Sequence, residues 1–201
     1  METIDVDVVV LPEQTIADRA YQLSRALQRY PNELLLSEGV CFAHVSVYMP
    51  RLRTADLPRV GEILAGIARR VPQLTLASQD YHYSEGYFDV GYGRTGAIER
   101  LQAEVIAALN PLRAAVRESG HTLTPAEEQN LQQYGYPYVS ANFRPHLTFT
   151  WFKDSAQVVE GLPPAADFSG AFPELGLFER GPKGTCIRQL GVWPLAPIIA
   201  A

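Results

Sequence analysis

The chain has 201 residues, 47% hydrophobic and 19% charged, enough to bury a full core in one domain. Its 17 basic residues against 22 acidic ones give a net charge of -5, which excludes the broad basic surface that long nucleic acid requires. Two cysteines, Cys41 and Cys186, are too few for a disulfide framework or a cysteine metal cluster, and no apolar run is long enough to span a membrane.

The cysteines read as reduced core residues of a cytoplasmic protein. The opening Met1-Glu2-Thr3-Ile4-Asp5 is acidic and lacks the basic start of a signal peptide.

In chain order, Asp5 to Leu11 is a β-branched run and predicts a strand. Thr15 is expected to cap a helix with Ile16, Ala20, Leu23, Leu27 and Tyr30 on its apolar stripe, stopped by Pro31-Asn32. Leu34 to Leu36 fits either regular state. Val40 to Met49 predicts a strand that carries His44. Asp56 and Pro58 open a second helix, with Leu57, Val60, Leu64, Ile67 and Val71 inward and Pro72 at its end. Leu74 to Tyr83 and Tyr87 to Tyr92 flank the turn Ser84-Glu85-Gly86, a hairpin signal. A third helix runs from Ile98 to Leu112, kinked near Asn110-Pro111. Thr124-Pro125-Ala126-Glu127 starts a fourth, which ends near Gly135. Phe143 to Phe152 is a second histidine strand, and Asp154-Ser155 opens a short helix to about Glu160. Gly161 to Pro173 reads as loop. Leu175 to Phe178 and Thr185 to Trp193 flank Gly181-Pro182-Lys183-Gly184, a second hairpin.

The order histidine strand, helix, hairpin thus occurs twice, once from His44 and once from His146. Two such halves facing each other bring equivalent strands together around a pseudo-twofold axis. Each histidine has a hydroxyl residue two positions on, in His44-Val45-Ser46 and His146-Leu147-Thr148. Strand alternation puts each pair on one face. Continued one step, it places Tyr48 with the first pair and Thr150 with the second, both as cleft-lining residues. Two imidazoles with pKa values near neutrality suit a reaction that needs a general base and a general acid together. Hydrolysis of a cyclic phosphodiester has those needs, with Ser46 and Thr148 as donors to the phosphate oxygens. No carboxylate–histidine cage for a metal is apparent, so neither metal nor cofactor is expected. His82-Tyr83-Ser84 matches the same pattern, but in a polar hairpin, and reads as a surface or rim histidine. His121 lies in a loop and is given no role.

The pair His44-Val45-Ser46 and Arg144-Pro145-His146-Leu147-Thr148 resembles the signature of the two-histidine (2H) phosphoesterase superfamily, which includes RNA 2′,3′-cyclic phosphodiesterases and 2′-5′ RNA ligase-like proteins. The resemblance implies one α+β domain over residues 1–201, built as two pseudo-symmetric lobes with two antiparallel sheets facing a central cleft and helices outside. It implies a metal-independent hydrolase acting on a 2′,3′-cyclic phosphate or a related 2′-5′ phosphodiester, with His44 and His146 catalytic, Ser46 and Thr148 on the phosphate, and Arg144 beside them. The expected partner is a small nucleotide or an RNA end, and the expected state a monomer. The alternative is a non-catalytic nucleotide or RNA-end binding module on the same fold. The stretch from Gly120 to Ser140 does not map onto a minimal member and reads as an insertion beside the cleft.

Overall fold

A computed structural model describes residues 2–114, 122–154 and 157–198. The first β-branched run becomes β1 (Thr3–Leu11), the strand on which the larger sheet is built. Val6, Val8 and Val10 point into the main core, while Val9 joins a small cluster with Phe178 and Cys186 on the other face. Asp5 and Asp7 share that second face by alternation. The helix α1 (Gln14–Ala26) follows and tightens into a 3-10 turn over Leu27–Arg29. It begins at Glu13 rather than Thr15, and no side chain caps it.

The first histidine strand is shorter than its apolar run suggests. Regular pairing covers only β2 (Val45–Tyr48), after a tight turn in which Ser37 and Cys41 pair. A short β3 (Arg51–Arg53), which the sequence pattern does not announce, pairs with the start of β1. Then α2 (Leu57–Ala68) buries Val60, Leu64, Ile67 and Ala68. The long run from Leu74 is broken. Its first piece, β4 (Leu74–Leu76), pairs with β8 (Gly170–Phe172) inside the expected loop, and its second, β5 (Ser78–Ser84), forms the hairpin with β6 (Tyr87–Tyr92). In the turn, Glu85 and Gly86 both take positive φ. A Cβ at Gly86 would come within 2.7 Å of the Phe152 carbonyl, so glycine serves both the turn and the close strand approach.

Thr95 caps α3 (Gly96–Leu109), which ends in a 3-10 turn at Asn110–Leu112. The capping box Thr124/Glu127 forms as the sequence predicts and starts α4 (Pro125–Tyr134), which Gly135 closes in the left-handed conformation. The second histidine strand is β7 (His146–Trp151). No helix follows it over 157–160; Ser155 and Ala156 lie outside the described residues, as does His121. The hairpin of β9 (Glu174–Arg180) and β10 (Cys186–Pro194) ends the fold.

The sheets are antiparallel and cross-built. One runs β10-β9-β1-β2, with β3 on β1; the other runs β5-β6-β7. Each histidine strand is therefore an edge, in a sheet that contains the hairpin from the other half of the sequence. The strands β2 and β7 approach each other without pairing. Outside, α1 packs on β7, while α2 packs on β9 and β10 and α3 on β2. No helix among the described residues is long and apolar enough to cross a membrane.

Candidate active site

A cleft of about 890 Å³ is lined by His44, Ser46, His146 and Thr148 together. The fold brings these four residues to one cavity although the two pairs lie about a hundred residues apart in the chain. Each histidine sits where its strand begins, and each ring is fixed in the same way. His44 Nδ1 lies 2.7 Å from the Phe42 carbonyl, and His146 Nδ1 lies 2.7 Å from the Arg144 carbonyl. A carbonyl only accepts, so Nδ1 carries the proton in both rings and Nε2 is left to react.

Both strands also carry the same irregularity. Val9 pairs with Ser46 but Val8 pairs with Tyr48, so Val47 is an extra residue on β2. Asp89 pairs with Thr148 but Phe88 pairs with Thr150, so Phe149 is an extra residue on β7. A bulge resets the alternation of side chains. The next residue, expected in the cleft, turns inward. Tyr48 is fully buried and donates to the Tyr134 carbonyl at 2.6 Å; Thr150 is fully buried and donates to the Leu34 carbonyl at 2.8 Å. Neither lines the cleft, and the simple period-2 reading of these two positions is corrected.

Arg144 does line the cleft, but its guanidinium is engaged. It makes two bonds to the buried Asp89 carboxylate, at 2.8 and 2.9 Å. His82, on β5 opposite Asp89, adds its Nδ1 at 3.8 Å from the same carboxylate and lines the cleft, the less favoured of the two places the sequence pattern allows it. Lys183 stands 3.4 Å over the Trp151 ring and ties the β9–β10 turn to β7. Arg180 also faces the cleft, and its Nε is buried without a hydrogen-bond partner.

The surroundings of the two histidines differ. His44 Nε2 is 3.6 Å from Asp7, which is fully buried and accepts from Ser46 Oγ at 2.7 Å. Burial pushes the Asp7 carboxyl well above the ordinary carboxylate range, against the Ser46 and Cys186 hydrogen bonds. Burial lowers His44 to about 4, helped by the nearby His146, while the backbone at Phe42 and Gly184 works the other way. Both directions favour the uncharged form of each group. His146 is also lowered by burial, but the Asp89 carboxylate opposes that shift and keeps a proton on this ring more easily. Thr148 makes no side-chain hydrogen bond among the described residues, so its hydroxyl is unspent.

The sequence pattern alone does not bring Asp7, Asp89, Arg180 and Cys186 to this site. A carboxylate inside a β-branched or aromatic run, as in Asp5-Val6-Asp7-Val8-Val9 and Phe88-Asp89-Val90, is the signal that was available. Cys186 lies 179 positions from Asp7, and nothing local joins them. The fold nevertheless places Asp7, His44 and Cys186 so that one ligating atom from each lies within 4.8 Å of the others. This carboxylate–histidine–thiol arrangement is built by the fold and has no local signal in the sequence.

A family model described as protein of unknown function (DUF1045) matches residues 54–168. No curated protein sequence matches the chain significantly. Among solved structures, TT0787 of Thermus thermophilus is 18% identical over 98% of this chain and 100% of its own, with a TM-score of 0.59. The E. coli LigT complexed with 3′-AMP is 17% identical over 97% of this chain and 99% of its own, with a TM-score of 0.58. A structure described as a phosphoesterase is 18% identical over 97% and 99%, with a TM-score of 0.57. At these identities the likeness establishes the fold, and it is the α+β fold that the two-histidine motifs implied.

Proposed function

The chain belongs to the family described as protein of unknown function (DUF1045), and we propose that it is a two-histidine phosphoesterase, hydrolysing a 2′,3′-cyclic phosphate or a related small 2′-5′ phosphodiester without a metal. The observation that carries this reading is the matched pair of imidazoles, each fixed through Nδ1 to a carbonyl two residues back, on one cleft. The shared fold supports it: a structure described as a phosphoesterase and LigT complexed with 3′-AMP have the same architecture.

The chemistry follows from the environments. His44, lowered to about 4, is neutral near pH 7, and its Nε2 lone pair takes a proton from water. The oxygen of that water attacks phosphorus. The bond from phosphorus to one ribose oxygen breaks, and His146, on which Asp89 favours the proton, donates to that leaving oxygen through Nε2. The product is a phosphomonoester. Thr148 donates its free hydroxyl to a non-bridging oxygen as charge builds there. Ser46 does the same once it rotates away from Asp7. Arg180 offers a cation to the same phosphate. The substrate is a small nucleotide or an RNA end, in keeping with the net charge of -5, and the enzyme acts as a monomer in the cytoplasm.

The test is turnover of 2′,3′-cyclic nucleotides by the purified chain in EDTA, with the product's free hydroxyl located. Hydrolysis to one phosphomonoester regioisomer is expected. Failure to hydrolyse any cyclic or 2′-5′ phosphodiester would remove the proposal and leave a binding module on this fold.

A further inference from the structure

The buried group formed by Asp7, His44 and Cys186 has a composition that phosphoester hydrolysis does not explain. Its three side chains come from β1, from the residue before β2 and from β10, and they meet on the cleft side of the larger sheet. Oδ2 of Asp7 is 3.6 Å from His44 Nε2 and 3.9 Å from Cys186 Sγ. A tetrahedral ion with bonds of about 2.0–2.3 Å to oxygen, nitrogen and sulfur keeps its ligands roughly 3.3–3.6 Å apart, so shifts of a few tenths of an ångström to about 1 Å suffice here. The second oxygen of Asp7, Oδ1, is buried and has no hydrogen-bond partner. An unpartnered buried carboxylate oxygen is costly, and a turn of the Asp7 carboxylate that lets both oxygens face the ion would satisfy it, since the oxygen now nearest His44 and Cys186 is Oδ2. Asp7 and Cys186 are fully buried, whereas His44 lines the cleft. An ion held by the three would keep a fourth position towards the substrate side.

We propose that Asp7, His44 and Cys186 form an inhibitory site for a thiophilic divalent cation such as zinc. Thiolate, imidazole and carboxylate together select a borderline-soft ion over magnesium or calcium, which take oxygen ligands. Binding replaces the Cys186 thiol proton with a sulfur–metal bond and any proton on the Asp7 carboxyl with an oxygen–metal bond, and the protons go to solvent. It also takes the Nε2 lone pair of His44. That lone pair cannot both ligate an ion and accept a proton from water, so the bound ion switches hydrolysis off. The inhibitory consequence rests on the two-histidine reading above; the existence of the site does not.

The two are tested separately on the full chain, stripped with EDTA and then freed of it. Titration with cobalt(II) should produce a thiolate-to-cobalt charge-transfer band that saturates at one equivalent, in the wild type and in Cys41→Ser, and that is absent from Cys186→Ser. Zinc should inhibit turnover of a 2′,3′-cyclic nucleotide and EDTA should restore it. Measured against its own metal-free rate, whatever that rate is, Cys186→Ser should resist zinc by more than the roughly 10–100-fold that loss of an outer-shell partner costs. No cobalt–thiolate band in the wild type, or a band retained in Cys186→Ser, would overturn the site, whatever the activity. A saturating band with turnover unaffected or raised by zinc would overturn the inhibitory role. If the wild type turns over no phosphodiester, the hydrolase reading fails while the cobalt band still decides the site.

Discussion

The two halves of the cleft carry the same His-x-hydroxyl pattern on the same kind of bulged strand, yet they differ in electrical company. Beside His146, the buried Asp89 carboxylate is held by both terminal nitrogens of Arg144, and Thr148 makes no side-chain hydrogen bond among the described residues. Beside His44, the buried Asp7 has the histidine itself as its ion-pair partner among the described residues, and it takes up Ser46. The Asp89 carboxylate, paired with arginine, opposes the lowering of the His146 imidazole beside it. A carboxyl buried without such a cation drifts towards neutrality, and its imidazole neighbour does too. Under the proposed function, similar local sequence therefore yields a histidine suited to be a base and another suited to be an acid. The division is made by residues outside the motif.

Replacing either histidine tests this comparison most severely. His44→Ala and His146→Ala should each lower kcat/KM by about 10²–10⁴-fold, the range of general acid–base catalysis. Steady-state rates on a 2′,3′-cyclic nucleotide would check this, and a rate near wild type in either variant would break the pairing. The hydroxyls should then divide unequally. Thr148→Val should cost about 10²-fold, as loss of a charge-stabilising donor does, and Ser46→Ala less, because its hydroxyl is engaged by Asp7 in the unliganded cleft. Equal losses would mean that Ser46 leaves Asp7 freely. Arg144→Met should destabilise the fold by about 2 kcal/mol in chemical denaturation, the value of hydrogen bonds to a charged group, because Asp89 is left buried and the guanidinium itself is partly exposed. The smallest effect expected is on the pH profile of that variant. Arg144 lowers His146, so its removal should move the loss of the acidic form to higher pH.

Much of this arrangement was legible in the chain, for reasons that can be located. Helix starts with local chemistry came through: the Thr124/Glu127 box forms as read, because all of its bonds lie within four residues. The hairpin at Glu85-Gly86 came through for the same reason. The two motifs reach one cleft because alternation holds over the three positions that each motif spans. It fails one step later, where the extra residues Val47 and Phe149 turn Tyr48 and Thr150 into the core. Nothing in Val45-Ser46-Val47-Tyr48 encodes a bulge; it is set by the partner strand. The run from Leu74 to Tyr83 splits between two sheets because β8, nearly a hundred residues on, captures its first part. Asp7 and Asp89 escaped notice because their value lies in long-range neighbours, Cys186 for one and Arg144 for the other.

The most direct measurement is kcat/KM against pH for the wild type, His44→Ala and His146→Ala, all in EDTA. The wild type should give a bell. It should rise as His44 loses its proton near pH 4 and fall as His146 loses its own below the ordinary 6.5, which places the optimum on the acid side of neutrality. The residual activity of His44→Ala should lack the rising limb, and that of His146→Ala the falling limb. Both limbs surviving in either variant, or an optimum well above pH 7, would contradict the assignment of one base and one acid to these two strands.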